Sequence, residues 1–537
     1  MARSLNAEQK RLARLLQCFV GALQWFTLFV ALVAPLRWPR AALGLFMPFV
    51  LFAAVHGART VYTGARTLRR LRTTRTEDAV ALYERARRAG IALAWDDVVP
   101  AVVLPNYKEP VPLLRETIGA IAVQAEASRT LLVLAMEDSE PNAADKADEL
   151  VREFGDRFAD ILVTVHPSGR PGEEPGKSAN MSWAVRQLYK HVQKRCIAPE
   201  RVVVTVADAD AILPSDYLTH LTAHFAADPN RLRRFWQGHL SFFRNAYDVP
   251  PPTRVVELML STDHLAWLSS PERLAPLSTY SVSLALLHHI HYWDEDVMDE
   301  DFHIFTKACF FSREPVRVEP LFVPVQLTAL QADWWLDTVV QRFRQAHRHA
   351  MGARTVGYIL ALQLSGPPFH LHVLFRVLLA HLILPATLLV TSVGVPWWHL
   401  WNNAHAIVSG DPMAELALRI VSYASAVSGV LFLAILTNFA VLKLTVTGRG
   451  PALGDAVAFA TLPVAAVVYM YLPILYAQTT LFYTESVEYR VAPKPASTSS
   501  LSLAESSSLA LATPAPPVPP NEKAAHLSAS ATLVRLV

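Results

Sequence analysis

The chain has 537 residues, of which 52% are hydrophobic and 18% are charged, and its mean hydropathy is +0.25. This composition is too apolar for an ordinary soluble protein, and the length leaves room for a soluble domain beside a membrane part. The net charge of +3 gives no sign of a nucleic-acid partner. Three separated cysteines without a CxxC pair suggest neither a disulfide framework nor a zinc site, and they fit a reducing cytosol.

The N-terminal part predicts a transmembrane hairpin over residues 1–60. Residues 15–36 carry no charge and can cross a bilayer, and residues 41–57 are close to the lower length limit. The first stretch is too long for a signal peptide and has no clear cleavage site. Basic residues precede the hairpin and recur in a basic juxtamembrane segment, residues 61–95, so the positive-inside rule places both flanks in the cytosol.

Residues 96–325 predict an α/β domain with a mostly parallel sheet. Apolar strands at 102–104, 131–136, 161–165 and 202–206 alternate with helical patterns at 111–123, 143–154 and 180–192. Such a βαβ series forms a parallel sheet with right-handed crossovers.

The region 326–366 predicts an amphipathic helix at the membrane surface. Within residues 331–350, tryptophans and aliphatic residues stand among arginines, as in helices that lie in the headgroup layer. A helix that faces the protein core is nearly as good an interpretation of this stretch.

Residues 367–486 predict the C-terminal transmembrane helices. The apolar stretches are 377–397, 420–442 and 456–484, and the last contains Pro463 and Pro473. Five crossings would put the C-terminus outside, whereas Arg490 and Lys494 argue for the inside, and the sequence leaves both open. The Ser-, Ala- and Pro-rich residues 487–537 predict a disordered tail.

The strand at 202–206 is followed by two carboxylates, Asp208 and Asp210. Ligand sites of open α/β sheets lie at the carboxyl ends of strands, and an extended D-x-D directs both side chains the same way. Hard oxygen ligands suit Mg²⁺ or Mn²⁺ and a bound diphosphate. A solvated loop is the alternative for the motif on its own.

Two other strand ends carry candidate donor-binding residues. Pro105, Tyr107 and Glu109 follow the first strand in a rigid turn that could stack a base, although simple turn chemistry explains them equally well. Glu137 and Asp138 end the second strand, where they could accept hydrogen bonds from a base or ribose or act as first-turn acids of the next helix.

Three further segments carry charge near helix ends. Lys177 and Asn180 open a helix, where a lysine could neutralise a phosphate, and the alternative is a plain helix start. Residues 294–305 begin strongly acidic, and one carboxylate there could be a general base if its pKa is raised. Arg348 could pair with a diphosphate or only contact headgroups.

Taken in order, these motifs resemble the membrane-bound glycosyltransferase family 2, whose members include cellulose, hyaluronan and curdlan synthases. The likeness covers residues 102–352. The family's P-x-Y-N-E is PNYKE here, and Lys108 replaces its Asn. The remaining matches are Glu137 and Asp138 for the nucleotide-binding acidic pair, residues 176–180 for G-K-x-x-N, Asp208 and Asp210 for the D-x-D, and MDED for the catalytic-base segment, with the base at Asp301 after Glu300.

The family's QxxRW is met by Gln345, Arg348 and His349, so histidine replaces the tryptophan. An overlapping QxxR at Gln341 and Arg344 is the alternative register; the trailing residues 350–352 favour the later one. In processive synthases this tryptophan lies by the acceptor end, so its replacement leaves single sugar addition open.

The resemblance implies a GT-A domain facing the cytosol between transmembrane helices. It implies inverting transfer from a nucleotide-sugar, for which the family pattern favours UDP, to a polysaccharide or lipid acceptor, with Mg²⁺ or Mn²⁺ as cofactor. The alternatives are single addition to a lipid or polyprenyl phosphate, and a catalytically inactive membrane scaffold. The implied donor-binding residues are Pro105, Tyr107, Glu109, Glu137, Asp138, Lys177, Asn180 and Asp208; the metal ligands are Asp208 and Asp210; the catalytic residues are Glu300 and Asp301; and the acceptor or diphosphate residues are Gln345, Arg348 and His349.

Overall fold

A computed structural model describes residues 5–174, 176–297, 300–312, 315–365, 371–409 and 412–483. The tail predicted for residues 487–537 lies outside these residues, as do Met298 and Asp299 of the acidic segment and the last residues of the final apolar stretch.

The central element is a seven-stranded mixed sheet with the order β3-β2-β1-β4-β6-β5-β7. Its strands are β1 (Val99–Pro105), β2 (Leu131–Glu137), β3 (Asp160–His166), β4 (Val202–Val206), β5 (Arg234–Ser241), β6 (Tyr280–Ser283) and β7 (Arg317–Gln326). The pairs β1–β2, β1–β4, β2–β3 and β5–β7 are parallel, and only β6 runs antiparallel to its neighbours β4 and β5. The predicted α/β class with a mostly parallel sheet is therefore confirmed.

The sheet is buried on both faces because its inner strands are continuous apolar runs. Ala101 and Val103 of β1 belong to one core, and Val102 and Leu104 belong to the other, as the period of two requires. Helices cover both faces and the strand ends. They are α3 (Thr76–Arg88), α4 (Val111–Ala122), α5 (Ala143–Phe154), α6 (Lys177–Lys194), α7 (Tyr217–Ala227), α8 (Pro251–Leu268), α9 (Leu284–His289) and α10 (Glu300–Phe311).

Among the described residues, five helical segments are long and apolar enough to cross a membrane, and each overlaps a predicted apolar stretch. They are α1 (Ala7–Arg37), α2 (Pro39–Thr73), Leu371–Asn402, Leu418–Thr447 and Leu462–Thr480. The third comprises α13 (Leu371–Leu378), α14 (Leu384–Leu389) and part of α15 (Val395–Ser409), joined by π-turns. The fourth lies in α16 (Pro412–Thr447); after α17 (Leu453–Ala460), the fifth comprises α18 (Leu462–Ala466) and α19 (Leu472–Thr480).

The helix predicted within residues 331–350 is α11 (Trp335–Ala350), and α12 (Arg354–Ser365) follows it. Near its start, Trp334, Trp335 and Val340 are exposed, whereas the charged Arg342 is buried and lies 2.8 Å from Glu257 of α8. Val339 and Phe343 of the same helix pack against a buried apolar cluster, so one face of α11 meets the protein and its placement at a membrane surface stays a prediction.

The N-terminal helix α1 packs directly on α12. A Cβ built at Gly357 of α12 would lie 2.3 Å from the carbonyl oxygen of Ala13 in α1, so only glycine allows this approach. One of the two sheet cores also continues into the apolar helices α1 and α13, since Val20 and Val377 belong to it. The sheet domain and the helices therefore share a packed interior.

Candidate active site

Four predicted residues meet at the carboxyl end of β4. The Nζ of Lys177 lies 2.8 Å from Oδ1 of Asp208, 3.1 Å from Oε1 of Glu300 and 3.6 Å from Oδ1 of Asp301. Asp208 comes two residues after β4, Lys177 opens α6, and the acidic pair opens α10. The parallel β4 and the start of α6 meet at one edge of the sheet, as the sequence predicts, whereas α10 reaches the same edge after the antiparallel β6 and α9.

Charge balance explains why these residues occupy their helix positions. Acids in the first turn of α10 are favoured by the helix dipole, but a lysine at the first position of α6 is disfavoured. The three carboxylates around Lys177 offset that cost. Burial lowers the pKa of Lys177, but Asp208, Asp301 and Glu300 together raise it well above its usual value, so the lysine stays charged.

Asp301 has the properties of a general base. Burial raises the pKa of its carboxyl, with further contributions from Glu300 and Asp208, although Lys177 lowers it, and the net shift is upward. A raised pKa brings a carboxylate nearer the operating range of proton transfer. Its Oδ2 accepts a 2.6 Å hydrogen bond from the N–H of Ser278, while Oδ1 accepts none from the residues that the structure describes. One oxygen is thus held and the other can receive a proton.

Ser278 also contacts the donor side of the cluster. Its hydroxyl lies 2.5 Å from Oδ2 of Asp208 in hydrogen-bond geometry, so one residue joins two motif carboxylates. Sequence reasoning missed Ser278, because a serine between β5 and β6 carries no motif. Its backbone φ of +56°, uncommon for a residue with a Cβ, becomes visible only in the structure.

The two carboxylates of the D-x-D differ in their surroundings. Residues after Asp208 leave the extended conformation, because the N–H of Ala211 donates to the carbonyl of Asp208 and closes a turn. Asp210 is buried, and its Oδ2 accepts a 3.0 Å hydrogen bond from the N–H of Thr328. The alternation expected of an extended D-x-D therefore does not apply, and the two side chains bond to different partners.

The turn after β1 is held by residues that the sequence did not single out. Lys108 has φ +61°, and its N–H donates to Oε2 of Glu140 at 2.9 Å. Lys146 donates to the carbonyl of Glu109 at 2.8 Å and pairs with Glu140. These buried partners fix the turn that carries Pro105 and Tyr107, both partly exposed at the sheet edge.

The predicted donor-binding residues around β2 lie at the same edge. Glu137 contacts Nδ1 of His166 at 3.0 Å, and Asp138 accepts from the N–H of Ser168 at 2.8 Å. Asn180 is buried and donates to the carbonyl of Ala135 at 3.0 Å. These bonds brace the strand ends, and donor contact by the three residues stays a prediction.

The residues of the QxxR segment lie on α11. Gln345 and Arg348 are partly buried, whereas Arg344 of the alternative register is exposed. The side chain of His349 is exposed, although protein surrounds the residue. Desolvation and the charges of Arg348 and Arg342 lower the pKa of His349, while the charge of Asp208 raises it. The assignment of Gln345, Arg348 and His349 to the QxxR motif stays a prediction.

The carboxylates of the cluster are possible ligands for a divalent metal. The described residues contain no group of three or more His, Cys, Asp or Glu side chains arranged to hold an ion. Mg²⁺, however, is commonly held by one or two carboxylates together with substrate phosphates. Asp208 offers hard carboxylate oxygens at the cluster, so the residues fit a metal that is shared with a diphosphate.

Part of the sheet domain is similar to a known protein family. Residues 100–241 match the family model described as Glycosyltransferase like family 2, a segment that contains β1 to β5 and the D-x-D. The predicted family resemblance is confirmed there, and its narrower placement among membrane-bound synthases stays a prediction. No curated protein matches the chain.

Solved structures also match. One is described as the mannosyltransferase PcManGT from Pyrobaculum calidifontis in complex with GDP-Man and Mn²⁺. It is 17% identical in sequence, its TM-score is 0.37, and the match covers 76% of this chain and 98% of that one.

Proposed function

Because residues 100–241 match glycosyltransferase family 2, we propose that this chain is a membrane-integrated, inverting glycosyltransferase. It would move a sugar from a nucleotide-sugar, which we take to be UDP-linked, to an acceptor hydroxyl in cell-surface polysaccharide synthesis. The observation that carries the proposal is the cluster of Lys177, Asp208, Glu300 and Asp301 at the carboxyl end of β4. The family match supports glycosyl transfer, and the cluster would supply a base and a cation for the diphosphate.

In the proposed reaction, Asp301 accepts the proton of the acceptor hydroxyl through Oδ1, the oxygen that accepts no hydrogen bond from the described residues. The acceptor oxygen forms a bond to C1 of the sugar as the bond from C1 to the diphosphate oxygen breaks. A single displacement from the opposite face inverts the configuration at C1. Raising the pKa of Asp301 by burial strengthens it as a base for this step.

The leaving diphosphate would be stabilised by positive charge. Lys177 is the nearest cation in the described site, and Arg348 on α11 would add a second donor. Mg²⁺ or Mn²⁺, held by Asp208 and on the family pattern by Asp210, would supply further stabilisation of the developing charge. Pro105, Tyr107, Glu109, Glu137, Asp138 and Asn180 are the residues proposed to hold the nucleotide.

The acceptor and the membrane belong to the same proposal. Five apolar helices support membrane integration, and the basic flanks of α1 and α2 support a cytosolic catalytic domain. Gln345 and His349 would lie toward the acceptor, which is a growing polysaccharide.

A second candidate is single addition to a lipid or polyprenyl phosphate. It is favoured by His349, which stands where processive synthases have tryptophan. An inactive scaffold is the least favoured function, since Asp208 and Asp301 are both present in the cluster.

The test is nucleotide release by the full-length protein in detergent. A panel of UDP- and GDP-linked sugars is assayed with Mn²⁺, Mg²⁺ or EDTA and with membrane lipid extract as acceptor source. We expect metal-dependent release with one donor and a loss on the order of 100- to 10,000-fold in Asp301→Asn. Undiminished release by Asp301→Asn would contradict the assignment of the base, and product length on a gel separates a polymer from a single addition.

A further inference from the structure

The structure assigns a positioning role to Ser278, which no motif marks. We propose that Ser278 fixes the base Asp301 through its N–H and the donor-side carboxylate Asp208 through its hydroxyl. It thereby sets the position of the base relative to the carboxylate beside the sugar donor. The contacts are 2.6 Å to Oδ2 of Asp301 and 2.5 Å to Oδ2 of Asp208. The inference rests on the proposed function, since it concerns the same reaction.

The two contacts fix one oxygen of each carboxylate and so set the direction of the other. With Oδ2 of Asp301 held, Oδ1 is the oxygen that accepts no hydrogen bond from the described residues. With Oδ2 of Asp208 held, Oδ1 is the oxygen that meets Lys177 at 2.8 Å. Ser278 therefore selects the reactive oxygen of the base and orients the carboxylate that would face the metal.

A second residue holds Ser278 in its left-handed conformation. Gln237 of β5 is fully buried, and its Oε1 accepts the N–H of Leu277 at 2.8 Å. Its Nε2 donates to the carbonyl of Thr279 at 2.9 Å and to that of Gly238 at 3.0 Å. One amide thus binds both neighbours of Ser278. Such over-determined, unfavourable backbone conformations cluster at functional sites.

The preceding loop is anchored to membrane helices. Arg376 of α13 donates to the carbonyls of Glu272 and Leu274, each at 3.0 Å, and to that of Pro271. On the other side, Arg59 of α2 lies 2.5 Å from Glu272. The position of Ser278 is therefore fixed from β5 and from two membrane helices, as a positioning residue requires.

Ser278→Ala and Ser278→Gly test the hydroxyl in the full-length protein. Both variants keep the N–H that holds Asp301, and glycine also removes the strain of the positive φ, so folding is not at issue. We expect Mn²⁺ affinity, measured by electron paramagnetic resonance of the free ion, to fall about tenfold, the value of one hydrogen bond to a charged group. Turnover at low Mn²⁺ should fall in parallel and recover in excess Mn²⁺.

Gln237→Ala tests the N–H, because it releases both neighbours of Ser278 and so disturbs Asp301 as well as Asp208. We expect its kcat to fall about tenfold or more without recovery in excess Mn²⁺. Ser182→Ala is the matched control, since it removes a 3.1 Å serine–carboxylate bond to Glu295 outside the cluster. It should match wild type in both measurements.

The outcomes distinguish this inference from the function beneath it. If wild type turns over, Asp301→Asn does not, and both Ser278 variants keep wild-type Mn²⁺ affinity and turnover, the inference is overturned and the function stands. Full recovery of Gln237→Ala in excess Mn²⁺ also overturns it. If wild type releases nucleotide from no donor, the proposed function fails and takes the inference with it.

Discussion

The buried pair of Arg342 and Glu257 gives a prediction whose size follows from geometry. The guanidinium and carboxylate lie 2.8 Å apart, and their side chains are only 5% and 3% exposed. At an effective dielectric constant of 20, unit charges about 3–4 Å apart attract by about 4–6 kcal/mol, which the cost of desolvation largely offsets. Removing one partner leaves the other charged and buried, at a cost of about 3–5 kcal/mol.

The two single variants should differ in their dependence on pH. Burial raises the pKa of Glu257, while Arg342 lowers it, so in Arg342→Met the pKa rises further and the carboxyl can take up a proton. Protonated Glu257 is tolerated near pH 5, and the destabilisation grows as the pH rises through the raised folded-state pKa. Arg342 cannot lose its charge, so the cost of Glu257→Gln should be the same at pH 5 and pH 8.

The assay is thermal unfolding of the full-length protein in detergent, followed by intrinsic fluorescence at pH 5 and pH 8. We expect Glu257→Gln to lower the midpoint by on the order of 10 °C at both values, and Arg342→Met to do so mainly at pH 8. The double variant Glu257→Met/Arg342→Met should unfold near wild type, because an apolar pair needs no charge partner. Exposed Arg344 on the same helix supplies the control, Arg344→Met. Single variants that unfold with wild type at both pH values would refute the reasoning.

Three other predictions test separate parts of the molecule. Lys177→Met should lower kcat about 100-fold, because it removes the cation that faces the carboxylates. Lys194→Met, at the exposed end of α6, should leave kcat unchanged. Equal kcat values for the two variants would contradict the proposed role of Lys177. Gly357→Ala should destabilise the folded protein by about 1–3 kcal/mol or more, because its Cβ would clash with Ala13. A Cβ at Gly119 meets nothing within 4 Å, so Gly119→Ala should not destabilise it, and thermal unfolding measures both effects. Burial lowers the pKa of His166, but hydrogen bonds and charges of Glu137 and Glu173 raise it overall. The stability that His166 contributes is therefore present below the ordinary histidine pKa and is lost as the pH rises through the raised pKa. In His166→Gln, the free energy of unfolding should change less between pH 6 and pH 8.

Much of the fold follows from local pattern. The β-branched run of β4 and the periodic helices around it gave an α/β domain, because buried parallel strands need continuous apolar runs on both faces. Strand ends then predicted that Lys177, Asp208 and Asp301 would meet, since all three lie where strands finish or helices begin. The five apolar helices were likewise visible from hydropathy alone.

What the sequence could not supply depends on contacts between distant segments. The antiparallel insertion of β6 between β4 and β5 is a long-range pairing that no local pattern encodes. The left-handed Ser278 depends on a buried amide of β5, and a serine carries no preference that would announce it. The sequence predicts an extended D-x-D, whereas the N–H of Ala211 closes a turn on the carbonyl of Asp208.

The loop before Ser278 depends on residues outside the sheet domain. A fragment of residues 96–325 would keep the sheet except for the last residue of β7, but it would lose Arg59 and Arg376, whose side chains hold the loop from α2 and α13. Such a fragment could fold and still misplace Ser278. On the proposed function, the spacing of α2 and α13 would bear on the position of the base, because a change in that spacing would move both contacts to this loop.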